Sequence, residues 1–420
     1  MHHPTRFTTC LRARMLGTTA LAAVAGALCA LPADDAGAAG FALKEQSATA
    51  LGNAFAGATA GAEDVTYMFF NPAGLTRHEG HQAAVVLSYI IPQGETNNAN
   101  GGALGNPASG DAAEDALVPA VYGMWSVSPD LKLAIGVNVP FGLTTKYDLG
   151  WAGRYYAIES SVESININPA IAYRINENIS VGFGLQAQRT EATLSQQVPF
   201  PGDPLFEVKG DDWGYGFNVG VLFELSPQTR FGIGYRGRIK QELSGTATLG
   251  PGATGADVDL TTPDSATLGF YHDINEQWAV MGEVAWTGWS VFDQIVINMD
   301  SDIGPGTSVA IPEEWDDSWF GALGVTWRAN DQWTLRGGIA YDQTPLSDQY
   351  RSPRLTDEDR TWVALGARYD VSPNFTIEAG YTHIFIKDAH LNITLGALPT
   401  LTADYENSVD IVTAQLTWRF

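Results

Sequence analysis

The sequence predicts an all-β protein, a 14-stranded antiparallel transmembrane β-barrel with an N-terminal hatch (plug) segment in its lumen. Three observations carry that expectation. Short polar turns recur at a nearly fixed interval, apolar residues alternate with small or polar ones over long runs, and the last such run stops at Phe420.

The turns are Ser128-Pro129-Asp130, Asn176-Glu177-Asn178, Ser226-Pro227-Gln228, Asn275-Glu276-Gln277, Asn330-Asp331-Gln332 and Ser372-Pro373-Asn374. Counted between Pro129, Glu177, Pro227, Glu276, Asp331 and Pro373, they lie 48, 50, 49, 55 and 42 residues apart. Each interval holds two alternating strands and a longer loop rich in Gly, Asp and Thr. Tight turns on one side and long loops on the other is the layout of bacterial outer-membrane barrels. Six turns imply seven loops on the far side and hence 14 strands, the first from about His81 to Pro92 and the last from about Glu406 to Phe420. A propeller of similar period would need four short strands per unit; the runs here are too long.

Trp213, Tyr215, Phe217, Val219, Val221, Phe223 and Leu225 fall on one face of a strand, with Gly214, Gly216, Asn218 and Gly220 on the other. Leu131, Leu133, Ile135, Val137, Val139 and Phe141 make a second such face. A third has Trp278, Val280, Val284 and Trp286 opposed to Glu283, and a fourth has Trp333, Leu335, Ile339 and Tyr341 opposed to Thr334, Arg336 and Asp342. Period-two alternation of this length exceeds an ordinary strand and suits a tilted membrane crossing. Trp125, Phe223, Phe231, Trp278, Trp327, Trp333, Tyr369 and Phe375 sit beside the turns, as a girdle at the membrane–water interface would. A soluble sandwich would place its aromatics mid-strand. In the closing strand Val412, Ala414, Leu416, Trp418 and Phe420 alternate with Thr413, Gln415, Thr417 and Arg419. A terminal Phe resembles the signal read by the outer-membrane barrel assembly machinery, and in a closed barrel that strand pairs with the first.

The N-terminus sets the compartment. Arg6, Arg12 and Arg14 precede an Ala/Leu-rich run, Met15 to Leu31, and a small-x-small site at Ala36-Gly37-Ala38. Residues 1–38 therefore read as a secretory signal peptide cleaved before Ala39 rather than as an anchor. Leu28 before Cys29 opposes a lipoprotein signal. Removing 38 of 420 residues leaves 382 and takes both cysteines, Cys10 and Cys29, with the leader. A net charge of −24 excludes nucleic acid as a partner, because no basic stripe could offset phosphate repulsion. Near-neutral mean hydropathy fits a barrel, in which only every second residue faces lipid.

Residues 39–80 do not alternate and form the expected hatch, followed by a barrel over 81–420. Leu51, Ala54, Phe55 and Ala58 would share one face of a short helix, and Asn71-Pro72 marks a turn. Small residues from Ala48 to Ala62 suit a narrow lumen. The chain resembles the FadL/TodX (OMPP1) family of outer-membrane transporters of hydrophobic compounds. The motifs are Ala39-Gly40-Phe41, Asn71-Pro72-Ala73, Val139-Pro140-Phe141-Gly142-Leu143-Thr144-Thr145 and Trp151-x-Gly153-Arg154-Tyr155, so the likeness spans the mature chain. It implies an N-terminal segment that closes the lumen and a kink in the third strand, at Pro140-Phe141-Gly142, that opens a side exit into the bilayer. Proline lacks the N–H a ladder needs, so a break is physically reasonable, although Pro140 could instead just end its strand.

The resemblance makes Phe41 the hatch side chain that enters the ligand pocket; it could equally be a packing residue. Alternation places Phe231, Ile233, Tyr235 and Ile239 toward lipid and turns Arg236, Arg238 and Lys240 inward, since a midplane charge facing lipid costs roughly 2–4 kcal/mol. Such a column could hold a carboxylate head group or pair with Glu224 or Glu283. Arg154 and Lys146 are alternative head-group contacts, or loop residues that meet lipopolysaccharide phosphates. Gly232-x-Gly234-x-x-Gly237 lacks the following helix of a dinucleotide site, His78-Glu79-Gly80-His81 lacks metal-site spacing, and no G-x-S-x-G is present. The expectation is therefore a monomeric, non-enzymatic channel with no cofactor and no metal. Its cargo is a hydrophobic small molecule, most readily a long-chain fatty acid and otherwise an aromatic or alkane hydrocarbon. A general diffusion porin or an adhesive barrel are the rival classes.

Overall fold

The computed structural model describes residues 40–420; the leader and its cleavage site at 38/39 lie outside the described residues. Fourteen antiparallel strands close into one barrel. They are β1 (Gln82–Asn100), β2 (Ala116–Ser126), β3 (Leu131–Asn138 and Gly142–Lys146), β4 (Glu159–Arg174), β5 (Ile179–Gln197), β6 (Leu205–Glu224) and β7 (Thr229–Arg236 and Ile239–Leu249). The other half comprises β8 (Gly252–Thr262 and Ser265–Asp273), β9 (Trp278–Thr287 and Gln294–Met299), β10 (Ser308–Pro312 and Ser318–Arg328), β11 (Trp333–Asp342), β12 (Arg360–Ser372), β13 (Phe375–Ile386 and Ala389–Ile393) and β14 (Leu401–Arg419). Each strand pairs with its sequence neighbours. β1 pairs with β14 from Gln82↔Arg419 upward, and His81 and Phe420 exchange backbone hydrogen bonds beyond that pair. Closure leaves no free edge in the hydrocarbon.

β1 and β14 outrun the expected 81–92 and 406–420, each reaching 19 residues. The lipid-facing part needs only about 9–11 residues. Beyond it the strands continue as polar hairpins in water, where no apolar alternation marks them. Inside the membrane the expected faces hold: Leu133, Phe183, Tyr215, Leu323, Ile339 and Leu365 point outward and exposed. Among the expected girdle residues Trp125, Phe223, Trp278, Trp327 and Trp333 are exposed beside the turns. Trp278 stacks on Trp327 across β9 and β10.

Two alternation expectations fail at strand breaks. Val139 and Phe141 are buried although Leu133 and Ile135 of the same run face lipid, because β3 is interrupted between Asn138 and Gly142. In β7, Ile239 is 2% exposed and Lys240 lies on the outside. The register of β7 against β6 slips by one residue between Asn218↔Arg236 and Asp211↔Ser244. One extra residue in a strand exchanges its two faces.

Residues 40–80 run inside this wall. They form one helical turn, α1 (Ala48–Leu51), and two 3-10 turns, Val65–Phe69 and Pro72–Arg77, each opened by a side-chain cap from Ser47, Asp64 and Asn71 respectively. The short helix expected to carry Leu51, Ala54, Phe55 and Ala58 on one face stops at Leu51. Ala54 and Phe55 adopt φ of 51° and 61°, which ends the helix after a single turn. The wall meets the segment at glycines. A Cβ on Gly220 would fall 1.9 Å from Asn71 Oδ1, on Gly232 2.0 Å from Thr59 O, and on Gly338 2.1 Å from Asn53 O. Only a residue without a side chain permits that approach.

Several polar groups of the segment are bonded to the wall. Asn53 donates to Val325 O at 2.9 Å and Gly337 O at 3.3 Å, and Asn71 donates to Val221 O at 3.0 Å. Arg230 donates to the carbonyls of Ala60 and Gly61. Arg336, its side chain 1% exposed, pairs with Glu63 of the segment at 2.7 Å and with Glu378 of β13 at 3.3 Å. Arg336→Leu leaves the buried Glu378 and the half-buried Glu63 without their shared cation, a change that costs about 3–5 kcal/mol. The urea midpoint of the micelle-bound protein should drop markedly; an unchanged midpoint would mean that this triad does not fasten the segment.

Candidate functional site

The outer half of the lumen holds an apolar cavity of about 640 Å³, counting the part open to solvent. Its greasy lining comes from Phe41 of the N-terminal segment, Leu143 of β3, Val162 of β4, Ala192 and Leu194 of β5, Leu243 of β7, Val258 and Leu260 of β8, and Phe292, Ile295 and Trp315 around β9 and β10. This size and lining are those of a small-molecule site. Phe41 is 2% exposed and sits at the centre of an aromatic cluster, with ring centroids 5.8 Å from Phe141, 4.8 Å from Trp289, 5.6 Å from Phe292 and 5.8 Å from Trp315.

The polar groups of the cavity are few. Arg354, Ser160 and Glu313 are buried, and Asp259 stands exposed at its edge. Arg354 belongs to the β11–β12 loop, residues 343–359, which turns inward across the mouth of the barrel. Tyr147 OH donates to Pro353 O at 2.7 Å and Thr145 Oγ1 to Arg354 O at 3.1 Å, and both bonds tie this loop to β3. The Arg354 guanidinium donates to Ser160 Oγ at 3.0 Å and Gln196 Oε1 at 2.6 Å. Both partners are neutral. Among the described residues no carboxylate comes within ion-pair distance of it, whereas Arg351 in the same loop pairs with Asp348 and Glu358. Burial pulls the Arg354 pKa down to about 10, still far above neutrality, so the group stays charged. Burial pushes the Glu313 carboxyl up to about 7, against the pull of a hydrogen bond from Trp315 Nε1 and of the Arg354 charge.

The β3 break lies beside this cavity and is sealed by the N-terminal segment. Leu43 N donates to Pro140 O at 2.8 Å and Gly142 N to Phe41 O at 3.0 Å, and Ala42 bridges Phe141. Gln46 adds a bond from Nε2 to Val139 O at 2.6 Å and accepts from Val139 N at 3.3 Å. Backbone groups that a neighbouring strand would ordinarily satisfy are thus taken up by residues 41–46. Asn71, Pro72 and Ala73 stand far from this point, against β5 and β6: a Cβ on Gly182 would fall 2.4 Å from Ala73 N, and Asn71 Oδ1 accepts from Ala73 N.

The structure does not assemble Arg236, Arg238 and Lys240 into one inward column. Arg236 points in and donates to Gln186 Oε1 and to Phe69 O, with its guanidinium 4.3 Å from the Phe69 ring centre, so it clamps the segment. Beyond the slipped register Arg238 faces out and pairs with Asp264 at 2.8 Å, and Lys240 is exposed. Glu224 and Glu283 are engaged by the segment instead, through Arg77 and Thr59. Arg154, in the β3–β4 loop, pairs with Asp203 at 3.7 Å, and Lys146 with Glu159 at 3.8 Å; neither lines the cavity. Arg354 escaped the sequence reading because its loop does not alternate. Its one legible signal is a pair of arginines, Arg351 and Arg354, within a short inter-strand stretch.

A closed barrel with lipid-facing strands, its N-terminal segment lying inside the wall and its outer half hollowed into a greasy cavity, defines an outer-membrane barrel with an occupied lumen. The chain belongs to the OMPP1/FadL/TodX family: the family model described as "Outer membrane protein transport protein (OMPP1/FadL/TodX)" matches residues 29–420. It is 31% identical over 404 residues to a 47 kDa outer membrane protein of Pasteurella multocida, covering 87% of this chain and 90% of that one. It is 28% identical over 400 residues to a long-chain fatty acid transport protein of Escherichia coli, covering 84% and 89%. Among solved structures a Pseudomonas aeruginosa FadL homologue superimposes with a TM-score of 0.85 at 25% identity, covering 91% of this chain and 100% of that one. The protein is an outer-membrane β-barrel of a family that transports hydrophobic molecules.

Proposed function

We propose that the cargo is a long-chain fatty acid, held with its chain in the Phe41 cavity and its carboxylate against Arg354. One observation carries this reading: a buried, charged guanidinium at the edge of an apolar cavity has only neutral side-chain partners. The one carboxyl that attracts Arg354 is Glu313, which burial keeps only partly ionised near neutrality, so the buried cation is incompletely compensated and a cargo carboxylate supplies the missing charge in bidentate geometry. A hydrocarbon cargo would leave that deficit in place. The name of the Escherichia coli relative, a long-chain fatty acid transport protein, agrees with this choice.

Transport in this reading is passive. Residues 39–80 act as the hatch. Withdrawal of residues 41–46 frees the backbone of Val139–Gly142 and opens the wall of β3, through which the cargo leaves sideways into the bilayer. Removal of the fatty acid inside the cell sets the direction. The barrel acts as a monomer, is inserted by the assembly machinery through its Phe420 strand, and sits among lipopolysaccharide. A general diffusion porin would need a continuous aqueous lumen, and the fit of Asn53, Thr59 and Asn71 against wall glycines speaks against one.

Glu313 gives the reading a pH signature. Its carboxyl is mostly protonated below its pKa of about 7 and ionises above it. Ionisation adds a negative charge to the cavity that holds the cargo's own carboxylate and competes for Arg354. Oleate affinity of the detergent-solubilised protein should therefore fall as pH rises from 6 to 8, and Glu313→Gln should flatten that profile. A profile that Glu313→Gln leaves unaltered would contradict this placement.

A further inference from the structure

We propose that the barrel wall has a second opening, between β8 and β9, through which an amphiphile enters the cavity from the outer face of the membrane. The inference rests on the cavity being the cargo site.

The observation is an unzipped seam. β8 and β9 pair from Ser265↔Thr287 down to Asp273↔Ala279, and again over Val258↔Ile297 to Ala256↔Met299. Between these blocks, six residues of β8 (259–264) face nine of β9 (288–296) with no ladder pair, and Gly288 N to Asp264 O is the single backbone bond at the lower corner. Each lip is held only from behind. Residues 259–262 pair with β7, and residues 294–296 pair with β10. Two hairpins therefore diverge and rejoin, leaving a window closed at both ends.

The window leads to the cavity. Leu260 on one lip and Phe292 and Ile295 on the other line it, with Val258 at the upper corner. A 3-10 turn, Trp289–Val291, fills the gap as a shutter. Trp289 is 1% exposed and packs its ring against Phe41, while Ser290 N is pinned to Asp317 Oδ1 at 3.0 Å. The height of the window follows from the outward side chains below it. Val284 and Leu268 are exposed among lipid-facing residues, and Trp286, paired across to Trp319, closes that run as an interfacial aromatic. Unladdered backbone is tolerated outside the hydrocarbon and not within it, which sets the seam at head-group level. The sill there is polar and carries the exposed Arg238, paired with Asp264. A molecule whose chain lies among outer-leaflet acyl chains meets a cation at the sill and an apolar cavity behind it.

The test uses the full-length protein in cells, whose mature part has no cysteine of its own. Thr261→Cys and Gln294→Cys place one thiol on each lip away from the cavity lining, and a flexible bismaleimide joins them. The control pair, Ser244→Cys with Asp257→Cys, is joined by the same reagent across the intact β7–β8 ladder. Uptake is followed for oleate and toluene, so that whichever cargo the wild type carries tests the seam. Cross-linking the lips should slow uptake at least fivefold, and the control pair should leave it unchanged. Full uptake with the lips cross-linked would overturn the second opening. Failure of the cavity as cargo site is read separately, as oleate binding that Arg354→Leu does not weaken.

Discussion

Replacing Arg354 with leucine is expected to weaken oleate binding by at least about 30-fold while leaving toluene uptake unchanged. Removing one partner of a buried charge pair costs about 2–5 kcal/mol, and the lower figure already corresponds to that factor. The loss arises from a carboxylate left buried without a cation, so a neutral cargo does not register it. Arg354→Lys keeps the charge but not the planar fork and should fall between the two. Heat-dependent mobility on gels checks that each variant still forms the barrel. Equal losses for oleate and toluene would assign Arg354 to packing of the β11–β12 loop rather than to the head group.

The second large effect concerns closure. Substituting valine at Gly220, Gly232 and Gly338 together puts side chains where Asn71, Thr59 and Asn53 now lie. The strands are fixed by ladders on both sides, so the N-terminal segment has to give way. The wild-type protein should be electrically silent in a planar bilayer, and the triple variant should conduct at the level of an open porin. A wild type that conducts at that level would refute the stoppered lumen. A silent, correctly folded triple variant would show that the segment can repack without opening a path.

These two experiments probe the part of the molecule the sequence reveals least. Strands facing lipid were legible because one side of each must be apolar at every second residue; Tyr215, Phe217 and Val219 announce their side without help. The break at Pro140 was legible from the missing N–H of proline. The inward column at Arg236, Arg238 and Lys240 was misread because alternation assumes an unbroken count, and the bulge after Arg236 consumes one residue without any apolar signal. Arg354, Glu313 and Trp289 were invisible for another reason. They sit in irregular segments whose direction is set by contacts far along the chain, such as Phe41 against Trp289 and Arg354 against Ser160. Alternation says nothing about a loop that turns inward.

The same physics explains why the segment and the wall divide their tasks. The wall offers backbone carbonyls and bare glycines, and the segment supplies Asn53, Asn71 and Gln46 to meet them. These three amide side chains are bonded to the wall, so any opening that moves them must replace those bonds with water or with new partners. Along the proposed exit at the β3 break, that replacement involves residues 41–46.

The most direct measurement is a crystal structure of the protein grown with oleate. The account predicts a continuous acyl chain beside Phe41, Leu143 and Leu260, with its carboxylate on the Arg354 guanidinium. An oleate carboxylate held elsewhere, or a cavity left empty while the chain binds on the outer surface, would contradict it.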